Sequence, residues 1–144
     1  MLEGTHIVFV ARFVSRHVVA ANVTVGSHSP AYCTAAGTAI LSHLPWAEAT
    51  AILRASTLRA YTPHTTWRMP ELTFKLRDAA ARGYAVCSEE ILVNDVSEAA
   101  PILDGAGRPV AAVNLAVSKL RCEAPEAARN FAPLVVATAQ AISG

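Results

Sequence analysis

The chain has 144 residues, of which 53% are hydrophobic, and a formal net charge of +1. This length and this hydrophobic content are enough for one globular domain with a buried core. The weak charge and the lack of a basic patch exclude direct binding of nucleic acid, and no apolar run has the length of a membrane span. Cys33, Cys87 and Cys122 lack metal-type spacing, which predicts free thiols in a reducing cytoplasm.

The chain begins with two segments rich in Val, Ile and Phe, His6–Val14 and His17–Val25, which is typical of β-strands. Only Ser15 and Arg16 separate the two segments. This spacing predicts an antiparallel hairpin, although Ser-Arg is not a preferred turn pair.

The next segment, Gly26–Pro45, begins as a turn and continues as a helix that Pro45 ends. Two starts for this helix remain open. Ser29 before Pro30 is one start signal, and Thr34 is a second possible cap. The helix is expected over about Thr34 to Leu44.

Three very small residues, Ala35, Ala36 and Gly37, follow Thr34. Their side chains leave the first N–H groups of the helix uncovered, and the positive end of the helix dipole attracts a small anion. Small residues also allow a helix to lie close to a sheet. From these residues alone, close packing is the favoured interpretation.

The middle of the chain predicts two more helices with a loop between them. Trp46–Ala55 carries one apolar face, and residues 61–68 form the loop. The following helix starts at Pro70 with an acid in its first turn and ends at Gly83.

Three strands and a helix complete the chain. The strands are expected over Tyr84–Glu89, Val96–Leu103 and Pro109–Ser118, and the last of these is apolar enough to be buried on both faces. Pro133 should kink or divide the final helix, Ala124–Ser143. The order predicts an α+β layer fold with a mainly antiparallel sheet flanked by helices.

Catalytic and metal-binding patterns are missing from the sequence. The histidines lack ligand spacing. Glu89 and Glu90 are adjacent, and neighbours in a strand point to opposite faces, so they are a poor acid–base pair. The sequence therefore predicts no catalytic group, no metal site and no cofactor.

Asn114 is the polar exception in the apolar strand Pro109–Ser118. A buried amide costs about 1–3 kcal/mol if it stays unpaired. The turn at 104–108 brings Ser97, on the preceding strand, close to Asn114, so the two could line one face. Either they face a polar cavity or Asn114 is satisfied internally, and spacing alone leaves both interpretations open.

Three segments, 27–45, 82–90 and 99–114, occur in an order and spacing that resemble a known family. Over almost its full length, the chain resembles the C-terminal effector-binding domain of IclR-type transcription regulators. The segment from Arg16 to Cys33 is most similar to the subgroup that senses aromatic acids such as hydroxybenzoate and protocatechuate.

The resemblance implies a sheet of about six strands in a GAF-like sensor fold. It also implies a small organic acid over the sheet, with its carboxylate on the amides of Ala35 and Ala36, and this raises the anion interpretation above close packing. With the neighbouring Thr34 and Gly37, the implied ligand-binding set is Val18, Ser29, Thr34, Ala35, Ala36, Gly37, Cys87, Ser97, Asn114 and Ala116.

The chain departs from the family pattern at three of its strand positions. An acidic residue is common in the family where this chain has Cys87, or Ser88 beside it, and a serine is common at Ala116. A less polar pocket for a bulkier, more aromatic ligand is therefore implied. Glu98 replaces the usual aliphatic residue, and nothing in the sequence explains it.

The resemblance implies a binding module rather than an enzyme. Residues 1–144 would be one effector-binding domain that forms dimers or tetramers, with DNA bound only through an N-terminal winged helix-turn-helix that this sequence lacks. Two alternatives are a small hydrolase that uses Cys33 or Cys87, and an oligomerisation domain without a ligand.

Overall fold

The computed structural model describes residues 1–13, 24–121 and 124–144. In chain order the elements are β1 (Leu2–Glu3), β2 (His6–Val8), β3 (His28–Pro30), α1 (Ala35–His43), α2 (Trp46–Ala55), α3 (Met69–Arg82), β4 (Ala85–Ser88), β5 (Asp95–Leu103), β6 (Pro109–Ser118) and α4 (Ala124–Ile142). None of the helices within these ranges combines the length and apolar character needed to cross a bilayer.

The strands form two antiparallel three-stranded sheets, β1-β2-β3 and β4-β5-β6. The six strands found in the described ranges, together with the flanking helices, confirm the predicted α+β class. In the second sheet Ser97 pairs with Cys87 on one side and Ala116 on the other, and Ala99 pairs with Asn114. Because partners in a ladder share a face, these five residues lie on one face of the sheet.

The second sheet separates two layers. α1 lies over the face that carries Cys87 and Ala99, and it contributes alanines to the main core. α4 covers the opposite face, where Val135 and Ala139 pack with Ala100 of β5. We call these surfaces the α1 face and the α4 face of the sheet.

The first part of the chain differs from the predicted pattern. The strand expected over His6–Val14 is the short β2, which pairs with the unpredicted strands β1 and β3. Ser29 and Pro30 lie in β3, so the helix start at Ser29 is wrong and the cap at Thr34 is confirmed. The hairpin at Ser15 and Arg16 lies outside the described residues.

The later elements follow the prediction closely. α2, α3 and β6 have the expected positions, and Gly83 ends α3 in the left-handed conformation at φ 83°. β6 is not buried on both faces, however, because Asn114 and Ala116 are exposed in the outermost strand of the described β4–β6 sheet. Pro133 lies inside α4 without dividing it.

Candidate functional site

The start of α1 is fixed by the Thr34 side chain. The Thr34 hydroxyl accepts a hydrogen bond from the Gly37 N–H over 3.2 Å and donates one to the Pro30 carbonyl over 3.0 Å. The first turn of any helix leaves four N–H groups without helical partners, and this cap satisfies one of them. Because its hydroxyl both accepts and donates a hydrogen bond, Thr34 fixes the start of the helix.

Two other N–H groups at this helix start, those of Ala35 and Ala36, meet no acceptor within the described ranges. Both residues are buried, with 1% and 8% of their surface exposed. Buried amide donors need acceptors, and the positive end of the helix adds an attraction for negative charge. A carboxylate oxygen is a negatively charged acceptor of the kind that these two N–H groups lack.

Gly37 has a structural role at the same helix start. A Cβ on this residue would stand only 2.5 Å from the Ala31 Cα and 2.6 Å from the Ala31 carbonyl carbon. The missing side chain therefore accommodates the backbone that leads into α1. This close approach accounts for the glycine without any ligand contact.

The predicted strand residues meet on the α1 face of the second sheet. Cys87, Ser97 and Ala116 form one row across the three strands, and Asn114 lies in the next row. The Thr38 hydroxyl of α1 is 3.9 Å from the Cys87 sulfur, which places the helix directly over this face. Asn114 is exposed, so its amide is not buried in the core.

One predicted position, Ser29, is not brought to this face. Ser29 lies in β3 of the first sheet, where it pairs with Ile7. Val18 lies outside the described residues.

Asp95 is a residue of the α1 face that sequence reasoning missed. The Ser97 hydroxyl donates a hydrogen bond to the Asp95 carboxylate over 3.3 Å. Burial raises the pKa of Asp95, and the bond from Ser97 opposes that rise. The two-residue spacing along the strand was the available signal, because residues i and i+2 share a face.

A buried polar cluster behind the start of α1 was also missed. The Lys75 ammonium of α3 donates to both oxygens of the Glu90 carboxylate, over 2.9 and 2.8 Å, and to the Tyr32 carbonyl over 3.1 Å. The Thr66 N–H also donates to Glu90, over 2.9 Å. The lysine and glutamate side chains are 14% and 7% exposed, so this ion pair is largely shielded from water.

Glu89 and Glu90 bind different partners, although both lie beyond the end of β4 and outside its alternating pattern. Its carboxylate accepts from the Asn94 N–H and from the Lys119 ammonium, both over 3.0 Å. The Asn94 bond and then the Lys119 bond lower the pKa of Glu89. Glu89 and Asn94 both have positive φ, 57° and 67°. The prediction that Glu89 and Glu90 are not an acid–base pair therefore agrees with this geometry.

The surroundings of the two described cysteines make their thiols unreactive. Cys33 and Cys87 are buried free thiols. Burial raises the pKa of each thiol to about 12, although the Lys75 ammonium opposes the rise. A thiol of that pKa is a poor nucleophile at neutral pH. In the described part of the chain, no three His, Cys, Asp or Glu side chains are grouped to hold a metal ion.

Two cavities found among the described residues lie away from Ser97 and Asn114. One is an open groove of about 400 Å³ between the end of α3 and α4. The other, of about 100 Å³, lies between α3 and the edge of β4 and includes Thr38 and Lys75. The second cavity touches the rear of the α1 start, so only this one adjoins the candidate site.

A family model described as "Bacterial transcriptional regulator IclR C-terminal" matches residues 1–144, the whole chain. Among curated proteins, the Pca regulon regulatory protein of Pseudomonas putida is 28% identical over 140 residues, which cover 96% of this chain and 48% of that protein. The repressor AllR of Escherichia coli is 31% identical over 113 residues, covering 78% of this chain and 42% of AllR. The chain thus spans about half the length of these relatives.

Solved structures share the fold. A Rhodococcus sp. RHA1 structure assigned as a transcriptional regulator superposes with a TM-score of 0.91 at 33% identity, covering 98% of this chain and 57% of that one. The Acinetobacter PobR inducer-binding domain, a double mutant solved with 3-hydroxybenzoic acid, gives 0.88 at 23% identity, covering 99% and 84%. These relatives are transcription regulators, so the hydrolase alternative is wrong. The chain belongs to the IclR C-terminal family of bacterial transcriptional regulators.

Proposed function

We propose that this domain senses a small aromatic carboxylic acid, whose carboxylate binds the N–H groups of Ala35 and Ala36. The observation that carries the proposal is the pair of buried N–H groups without described acceptors beside the α1 face of the sheet. The helix terminus contributes about 0.3–2 kcal/mol to holding an anion, and the hydrogen bonds from the two oriented amides add to this.

The aromatic class rests on two observations. Cys87 and Ala116 flank Ser97 on the α1 face and offer little polarity to a ligand. The PobR domain, which has the same fold, was solved with 3-hydroxybenzoic acid. Asp95 and Ser97 would then meet a polar substituent on the ring, such as a hydroxyl group.

The test uses 3-hydroxybenzoate and its methyl ester, measured by isothermal titration calorimetry. Ala36→Val crowds the approach to the two N–H groups without altering charge, and we expect it to weaken binding of the acid at least about tenfold. Ala51→Val, at an exposed position of α2, carries the same cost in helix propensity and should bind normally.

Two outcomes would count against the carboxylate site. One is an Ala36→Val variant that binds the acid as well as the parent protein does. The other is a methyl ester that binds as tightly as the acid, because the ester lacks the negative charge that the helix terminus attracts.

We also propose that the domain self-associates and that its effector controls the oligomeric state and DNA binding of a longer, cytoplasmic parent protein. Large apolar side chains stay exposed in the described residues, Phe74 at 73% and Leu120 at 82%, and such surface is commonly covered by a second copy. We expect a dimer or tetramer by light scattering at concentrations on the order of tens of micromolar. A monomer under those conditions would contradict this proposal and leave the carboxylate site untouched.

A further inference from the structure

Lys75 reaches the start of α1 from a different helix. Its ammonium lies 3.1 Å from the carbonyl oxygen of Tyr32, two residues before the N-cap Thr34. Burial alone would lower the pKa of Lys75, but the neighbouring Glu90 carboxylate opposes this, and on balance the pKa is raised. A hydrogen bond from a charged donor is shorter and stronger than one between neutral groups.

Tyr32 is fixed at its other end as well. Its hydroxyl donates to the Arg59 carbonyl over 2.7 Å and accepts from the Arg59 N–H over 3.0 Å. The ring and the carbonyl are thus held by two different segments. The peptide that follows Tyr32 sets the direction in which the chain enters the Thr34 cap, and hence the direction of the first N–H groups of α1.

The Lys75–Glu90 pair has no net charge, so it acts on the start of α1 by positioning the backbone and not by attracting a ligand electrostatically. Glu90 balances Lys75 at 2.8 Å, so little of the lysine charge extends to a ligand. Glu90 is itself held by the Thr66 N–H, and its carbonyl accepts from the Thr65 hydroxyl. The ammonium is therefore anchored to the loop at 61–66 and to the end of β4.

We propose that Lys75, held in place by Glu90, is a positioning residue for the effector carboxylate: its bond to the Tyr32 carbonyl fixes the peptide that leads into α1 and thereby aims the N–H groups of Ala35 and Ala36. The inference rests on the proposed function for its ligand. Loss of Lys75 should weaken only the binding of the ligand carboxylate, because only this group depends on the direction of those N–H groups.

The first arm of the test compares Glu90→Gln with Lys75→Met/Glu90→Gln. The single variant keeps the Lys75 amine, which donates to the Tyr32 carbonyl whether it is charged or neutral, whereas the double variant loses this donor without leaving a buried carboxylate unpaired. With 3-hydroxybenzoate we expect the double variant to bind about tenfold more weakly than Glu90→Gln, because the two variants share the loss of the Glu90 carboxylate and differ only in the Lys75 donor. Binding of the methyl ester should be equal in the two variants.

The ratio of acid to ester affinity separates positioning from general loosening of the domain. Loosening would weaken both ligands together and leave the ratio unchanged, and that result would overturn the proposal. If the methionine variant does not fold, Lys75→Gln/Glu90→Gln takes its place, since the shorter amide keeps the site polar and cannot span the distance to Tyr32.

The second arm needs no ligand. Amide hydrogen exchange is followed at Gly37 and Thr38, whose N–H groups bond to the Thr34 hydroxyl and carbonyl, with buried Leu53 of α2 as an internal reference. In the double variant we expect exchange at least about tenfold faster at Gly37 and Thr38 relative to Leu53. Equal exchange in the two variants contradicts the role of Lys75.

The two arms also distinguish the two proposals. If the parent protein binds neither the acid nor its ester, the proposed effector class fails, and hydrogen exchange still decides whether Lys75 positions the helix start. If the parent binds the acid and the double variant keeps the same acid-to-ester ratio, only the role of Lys75 fails.

Discussion

Replacement of Gly37 by alanine is expected to destabilise the domain by about 3 kcal/mol, even though alanine is the better helix former. The new Cβ would overlap the carbonyl oxygen of Ala31 and come within 2.5 Å of its Cα. These are backbone atoms, so no side-chain rotation can relieve the overlap. Either the start of α1 or the segment before it has to move, and the amides of Ala35 and Ala36 move with it.

Urea denaturation followed by circular dichroism measures this loss as a lower midpoint. Gly105→Ala is the matched control, because a Cβ there meets nothing within 4 Å and the residue has no positive φ. We expect the control to stay within about 0.5 kcal/mol of the parent. Equal midpoints for the two variants would show that the approach of Gly37 to Ala31 is not a tight constraint.

Glu98 should make the domain less stable as the pH rises from 5 to 8. The residue is 2% exposed, and both of its carboxylate oxygens lack a hydrogen-bond partner. Burial raises its pKa to about 7, whereas an unfolded chain has the ordinary value near 4.3. Between these values the folded state holds a proton that the unfolded state has lost, so stability is highest at low pH and falls as pH rises through about 7.

Glu98→Gln removes this titration, because glutamine does not ionise. The stability of the variant relative to the parent should increase by about 2 kcal/mol between pH 5 and pH 8, measured by urea denaturation at each pH. Glu71→Gln, at an exposed site in the first turn of α3, should instead follow the parent closely at every pH. Parallel curves for the parent and Glu98→Gln would mean that Glu98 has the same pKa in the folded and unfolded states, and would contradict the prediction.

Most of the fold was predictable because its elements carry local signals. The Thr34 cap, Pro70, the glycine at position 83 and the turn at 104–108 all act within a few residues of chain. The strands β1 and β3 were missed because they have only two and three residues, too few for an alternating pattern. Exposure of β6 was missed because an apolar run gives no information on which strand is outermost.

The residues of the candidate site were predicted where they share one element or one hairpin, and missed where the fold joins distant segments. Ala35, Ala36 and Thr34 are consecutive, and Ser97 and Asn114 follow from a hairpin register. Lys75 and Glu90 are 15 residues apart, and Lys75 reaches a carbonyl 43 residues away. The sequence has no lysine or arginine near the helix start. No local pattern indicates that α3 places Lys75 there.

The two faces of β5 carry opposite chemistry at neighbouring positions. Ser97 lies on the α1 face, and Glu98 lies beneath α4. Since alternate residues of a strand face opposite sides, insertion or deletion of a single residue before this point would exchange them. A second carboxylate would then stand beside Asp95 opposite the ring substituent of the proposed ligand, and a hydroxyl would enter the apolar layer. Ligand preference in this domain can therefore diverge during evolution by substitution at alternate positions of β5, whereas a one-residue length change in the strand would abolish both binding and the α4 core at once.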